Sequence, residues 1–183
     1  DVTGVQTCAL PICALAITGI GFDGYALGGL SVGESRAEMV PAVAAATELL
    51  PADQPRYLMG VGDPAGLVEG VANGIDLFDC VLPTRLARHG TVLTDAGRLN
   101  LRNARHATDD GPLDPDARCP LTSRYSRAYL RHLLGVHELT AMRILTLHNL
   151  WWLGRLMDRA REAIVEGRFE SFRNDVLEVW GGH

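Results

Sequence analysis

Between residues 24 and 82, short apolar runs alternate with helix-patterned segments, and this alternation constrains the fold more than any other feature. GYALGGL (24–30) reads as a short buried strand ending in glycines. Met39, Val40, Val43, Ala46, Leu49 and Leu50 then recur at helical spacing within 35–50. Pro41 is best tolerated in a first helical turn, which predicts a start near Met39, with Pro51 and Asp53 ending the helix. RYLMGV (56–61) reads as a second buried strand. Gly62, Asp63 and Pro64 form a turn, and Asp63-Pro64 opens a helix through Leu67, Val68 and Val71 that Asn73-Gly74 closes. DLFDCVL (76–82) reads as a third strand. A β-α-β-α-β order with short helices implies an α/β fold with a parallel sheet. Three parallel strands can neither bury both faces nor close, so residues 13–83 are expected to belong to a larger α/β unit.

The remainder differs in character. Residues 84–118 are polar, rich in Arg and Asp, with some extended segments. Residues 123–178 read as helical, with one long run from about Glu138 to Glu166 carrying Leu139, Met142, Ile144, Leu145, Leu147, Leu150, Leu153 and Met157. The net charge of -5 argues against general attraction to a polyanion, so any nucleic-acid contact must come from a local patch. One is available: residues 81–132 hold nine Arg and five Asp, against the sign of the whole. On its own, such a cluster also fits a solvated face. Four cysteines in 183 residues exclude a disulfide scaffold.

Residues 2–22 carry no charge, but Pro11, three Gly and three Thr make them a poor membrane helix, and Asp1 is a poor start for a signal peptide. DVTGVQTCALPI (1–12) resembles a translated sequencing-adapter tail. It is therefore expected to be foreign and is set aside with Cys8, the native segment beginning near Cys13. No targeting signal or membrane span is then expected, and the cytoplasm is the expected compartment.

Three segments are specific when taken together: GYALGGLSVGE (24–34), RYLMGVGDPAGLVEGVANGIDLFDCVLPTRLARHG (56–90), and YSRAYLRHL (125–133) with HNL (148–150). In order and spacing they resemble the bacterial queuine tRNA-ribosyltransferases, also called tRNA-guanine transglycosylases, over essentially all of residues 20–183. The resemblance implies a (β/α)8 barrel, of which this chain would hold the last three strands. It further implies a zinc-binding insertion and C-terminal helices. Residues 13–115 would be the C-terminal part of the catalytic barrel and 116–183 the insertion-like helical region. The implied activity replaces the wobble guanine of tRNA by 7-aminomethyl-7-deazaguanine during queuosine synthesis.

By the same resemblance, Asp79 is the nucleophile. The chemistry suits a carboxylate, which can attack an anomeric carbon and form a covalent glycosyl-enzyme. Asp76 is a nearby competitor outside the FDCVLPTR motif, and a turn or capping Asp is the ordinary alternative. Gly28, Gly29 and Leu30 match the loop that receives the base, and Met59 a residue packing on its face. A tight turn and plain core are the ordinary readings of those residues. Gly60, Val61, Gly62, Asp63, Pro64, Ala65 and Gly66 match a segment lying along the RNA. The stretch looks superficially like a phosphate loop but lacks the full spacing. Thr84, Arg85, Leu86, Ala87 and Arg88 match the segment that recognises the wobble region. The partners implied are tRNA, a 7-deazaguanine-type base and a second copy of the chain, with Trp151, Trp152 or the C-terminal helix at the interface.

The zinc site implied is Cys-x-Cys-x2-Cys with a distant His. Aligned on YSRAY, those positions are Ala117, Cys119, Thr122 and His148. Only Cys119 and His148 can ligate, short of the four ligands of tetrahedral zinc, with Asp116 a conceivable extra carboxylate. A lone His on an apolar helix is otherwise a hydrogen-bonded core residue. The region is then expected to hold by packing of Tyr125, Tyr129, Leu130, Trp151 and Trp152. Two other functions compete: a non-catalytic tRNA-binding or partner subunit of the same family, and a short α/β domain with no role for its charged face.

Overall fold

The computed structural model describes residues 12–30, 35–115 and 119–182. Residues 1–11, most of the stretch expected to be foreign, lie outside the described residues, as do Ala117 and Asp116. The chain forms two compact units, Asp1–Cys80 and Val81–His183.

In the first unit a helical turn over 12–18 (α1) precedes β1 (Tyr25–Leu27), α2 (Arg36–Thr47), β2 (Arg56–Leu58), α3 (Pro64–Ala72) and β3 (Leu77–Phe78). The three strands form a parallel sheet in the order β1-β2-β3, pairing Tyr25 with Arg56 and Leu58 with Phe78, as the alternation predicts. Leu27, Leu58, Met39, Val43, Ala46, Val61 and Ile75 form its buried core. The strands are shorter than their apolar runs, because Gly60 turns the chain at φ 79° and Val81 already caps the next helix. The start of α2 is a correction. It begins at Arg36, not Met39, because the Glu38 carboxylate accepts from the Ser35 backbone N–H at 2.8 Å and its hydroxyl at 2.7 Å. Pro41 therefore lies inside the helix. Pro41 and Ala37 are both exposed, so water can satisfy the Ala37 carbonyl that a proline cannot pair. The Asp63-Pro64 opening of α3 holds as read. Asp63 accepts from the Gly66 N–H at 3.0 Å and also pairs with Arg36 at 3.1 Å.

The second unit comprises α4 (Leu82–Arg88), an antiparallel hairpin of β4 (Thr91–Thr94) and β5 (Gly97–Asn100), a 3-10 turn at Ala104–His106, α5 (Arg127–Gly135), α6 (Leu139–Val165) and α7 (Phe169–Trp180). The hairpin supplies the extended segments read within 84–118, while α4 adds a helix at its start that the reading did not include. Pro83 sits in the first turn of α4, where a proline costs no hydrogen bond. The long run read from Glu138 to Glu166 is α6, with those two glutamates as its caps. Its buried stripe does not coincide with its apolar residues. Ala141, Ile144, Leu145, His148, Asn149, Trp152, Leu156, Ala160 and Ala163 face inward, whereas Leu139, Leu147 and Leu150 are exposed. Of the residues expected to pack this region, Leu130 and Trp152 are buried. Tyr129 is exposed and stacks on half-buried Tyr125 at 6.0 Å. No helix among the described residues is long and apolar enough to cross a membrane.

Two adjacent polar residues of α6 hold the hairpin. Asn149 Oδ1 accepts from the Leu93 N–H at 2.9 Å, and its Nδ2 donates to the carbonyls of Thr91 and Pro83 at 3.2 and 3.0 Å. His148 Nε2 donates to the Leu93 carbonyl at 2.9 Å. Both side chains are fully buried. Asn149→Leu would take its partner from the buried Leu93 N–H and Thr91 carbonyl, and leave the Pro83 carbonyl only its bond within α4. It is expected to destabilise the second unit by at least about 2 kcal/mol, measurable by urea unfolding.

Candidate active site

All three strands of the first unit end on one side of the sheet, and the residues singled out in that unit follow them directly. Gly28, Gly29 and Leu30 come after β1, Met59 and Gly60 after β2, and Asp79 after β3. Ligands of α/β proteins bind beyond this carboxyl edge. The Met59 N–H donates to the Leu27 carbonyl at 3.0 Å, extending the ladder past the strand ends. A β-carbon at Gly28 would lie 3.3 Å from the Met59 sulfur, so the two residues form one surface, and Met59 is 44% exposed there. Gly29 has φ 76°, which favours glycine. Leu30 is buried in the core and anchors the loop, offering no side chain to a ligand.

Asp79 is exposed at this edge, and its Oδ1 accepts two hydrogen bonds. One comes from the Tyr57 hydroxyl at 2.6 Å, the other from the Gly60 backbone N–H at 2.9 Å. Oδ2 accepts no hydrogen bond from the described residues. The Tyr57 bond first, and the Gly60 bond second, hold the Asp79 carboxyl below its ordinary pKa, and the same contact pushes the Tyr57 phenol up. The group is thus an ionised carboxylate with one oxygen tied and the other open, the form a nucleophile needs. Sequence reasoning missed Tyr57, since a tyrosine in an apolar strand looks like core. Its signal was the strand period: Tyr57 pairs with Leu77, and Asp79, two residues on, shares that face.

The 60–66 run divides by burial. Gly60 is exposed and donates to Asp79, while Val61, Gly62, Pro64, Ala65 and Gly66 are buried. A β-carbon at Gly62 would fall 1.8 Å from the Cys80 sulfur, so the backbone there lies directly against Cys80. Asp63 is occupied in capping α3 and pairing with Arg36.

In the second unit, Thr84, Arg85 and Arg88 share the exposed face of α4. Leu86 is half-buried, and Ala87 is wholly buried in the core. Cys119, Thr122 and His148 are all buried. The Thr122 hydroxyl lies 3.3 Å from His148 Nδ1. Because the Leu93 carbonyl can only accept, His148 carries its proton on Nε2, and Nδ1 accepts from Thr122. Burial pushes the His148 pKa down, favouring this neutral form. No group of three His, Cys, Asp or Glu side chains that could hold a metal occurs among the described residues. A neutral hydroxyl at 122 and an alanine at 117 do not fit a zinc site.

Ionised Asp79 accepts both hydrogen bonds, so their stabilisation is complete above the ordinary carboxylate pKa and is lost as pH falls through the lowered value. Tyr57→Phe removes the larger cause. It is expected to raise the Asp79 pKa toward its ordinary value, read from the carboxyl carbon shift in an NMR titration; an unmoved midpoint contradicts this account.

The model of the family described as queuine tRNA-ribosyltransferase matches residues 2–181, a span that takes in most of the 1–12 stretch. A protein of that name from Solidesulfovibrio magneticus is 57% identical over 155 residues, 85% of this chain and 42% of the relative. One from Herpetosiphon aurantiacus is 53% identical over 151 residues, 82% of this chain and 38% of the relative. One from Pelotomaculum thermopropionicum is 51% identical over 157 residues, 86% of this chain and 42% of the relative. The chain thus spans about two-fifths of the length of the curated relatives it matches. With the three motifs in order and the carboxylate at the sheet's carboxyl edge, the chain belongs to the queuine tRNA-ribosyltransferase family.

Proposed function

We propose that a protein carrying this segment is a tRNA-guanine transglycosylase, exchanging the wobble guanine of tRNA for 7-aminomethyl-7-deazaguanine with Asp79 as nucleophile. The observation that carries this reading is the Asp79 carboxylate itself, ionised, exposed and tied through one oxygen by Tyr57 and Gly60. Its open oxygen attacks the ribose C1′ of a guanosine flipped from its stack. The C1′–guanine bond breaks, and an Asp79–ribosyl bond forms. The incoming base then attacks C1′, the ester bond breaks and the carboxylate returns, so two inversions retain the configuration. Groups that protonate the departing guanine and deprotonate the incoming base would come from the rest of the protein.

In the same reading, Gly28 and Gly29 offer backbone to the purine edge, and Met59 covers its face from the adjoining surface. The parallel sheet is the last part of a (β/α)8 barrel extending through 13–115, and 116–183 is the insertion-like helical region. The exposed Thr84, Arg85 and Arg88 face of α4 meets the wobble region of the RNA, arginine gripping phosphate or stacking on bases. In the 60–66 segment, Gly60 is exposed to RNA and Asp63 is partly so, its carboxylate held by Arg36. A homodimer would draw on half-exposed Trp151, since Trp152 is buried against Trp180 at 5.5 Å.

The decisive test is Asp79→Asn in a full-length protein containing this segment, assayed by incorporation of labelled guanine into tRNA. Exchange is expected to fall to background while tRNA binding persists. Undiminished exchange would remove Asp79 as the nucleophile, and a full-length protein that binds tRNA but shows no exchange before substitution would favour the non-catalytic binding role. Arg85→Ala is expected to weaken tRNA binding and lower the slope of log affinity against log salt by about one, checked by filter binding at several salt concentrations.

A further inference from the structure

We infer that the helical unit of this chain dispenses with the zinc ion that its family resemblance implies, and that a hydrogen-bonded chain Thr122–His148–Leu93 does the clamping in its place. In a zinc site of this pattern, the metal joins the segment around 117–122 to the helix carrying the histidine. Here the same two segments are joined by the Thr122 hydroxyl donating to His148 Nδ1 at 3.3 Å. The histidine's other nitrogen donates to the Leu93 carbonyl of β4 at 2.9 Å, so one ring ties 122, α6 and the hairpin together. The nitrogen that could coordinate a metal is therefore the one engaged by Thr122. Cys119 remains, buried, but its backbone serves a turn. Its carbonyl accepts from the N–H groups of Thr122 and Ser123 at 3.1 and 3.0 Å. Asp114, also buried, accepts from the Asp95 N–H at 3.1 Å.

A single thiolate and a single imidazole fall short of a tetrahedral set, whereas the hydrogen-bonded chain gives Thr122 and both ring nitrogens of His148 a partner. Packing can carry the unit without metal, since Leu93, Leu101, Leu113, Leu130, Leu134 and Leu145 are all essentially inaccessible to water. The inference goes beyond base exchange, and its readouts are metal content and unfolding, so its failure leaves the Asp79 reading untouched.

The test uses the 183-residue chain purified from zinc-supplemented culture. Elemental analysis is expected to find far less than one zinc per chain, and the unfolding temperature is expected not to move with EDTA. One zinc per chain, or a fall in unfolding temperature on chelation, overturns the inference. Thr122→Val keeps the shape and removes the hydroxyl. It is expected to lower the unfolding temperature by several degrees, with Thr122→Ser retaining most of it; an unchanged Thr122→Val protein overturns the proposed clamp. The double variant Ala117→Cys with Thr122→Cys, checked for folding by circular dichroism, is expected to take up one Co2+ with the absorption of thiolate ligation. A folded double variant that takes up none shows that these positions do not surround a displaced metal site, and the inference falls.

Discussion

The second unit depends on the pairing of one strand edge by side chains. β4 bonds to β5 through alternate residues, leaving the backbone groups of Thr91 and Leu93 facing away from the hairpin. An isolated two-stranded hairpin is marginal, and its open edge is a liability. Asn149 and His148 close that edge from the middle of α6: an amide gives and takes as a neighbouring strand would, and an imidazole covers the remaining carbonyl. The third bond of Asn149, to Pro83, ties the start of α4 to the same point. Three elements thus converge on two adjacent side chains, and the leucine core of α5 and α6 forms around them. Trp152, one turn further along α6, extends the pattern, its indole N–H donating to Asp95 at the hairpin turn at 3.0 Å.

In the first unit the comparable constraint is geometric. A parallel sheet aligns its strand ends, so residues far apart in sequence meet along one edge without a dedicated scaffold. Glycine at 60 lets the chain turn with φ 79° immediately after Met59, and that turn aims a backbone N–H at the Asp79 carboxylate. The carboxylate is thereby fixed from the end of β2 while its own residue directly follows β3. Its acidity follows from two neutral donors at an exposed position, with no cationic partner among the causes.

How much of this was legible in the residues follows from what kind of signal each feature carries. The parallel β-α-β-α-β order was legible because three apolar runs were separated by helix-period segments with clear turn residues. The start of α2 was misread because proline was given more weight than the Ser35–Glu38 pair that caps the helix. α4 was missed because its exposed arginines mask a buried side of only Pro83 and Ala87. The extent of α6 was evident, but its inner stripe was not. Counting apolar letters promoted Leu147 and Leu150, while the inward positions between them are a histidine and an asparagine. Asp79 was found through its motif and not its surroundings. Tyr57 needed the strand register, which one sequence does not supply.

The contact between Gly62 and Cys80 has a mechanical side. Gly62 lies two residues beyond the N–H that holds Asp79, and Cys80 is the residue directly after Asp79. The thiol occupies the space a side chain at 62 would need, so the pair acts as a spacer between the two chain segments that meet at the carboxylate. A side chain at 62 would collide with the Cys80 thiol and β-carbon, so one of the two segments would have to shift. The Gly60 bond, the smaller of the two that keep the carboxylate ionised, thus sits beside a steric fit whose atoms are not among the causes of its acidity.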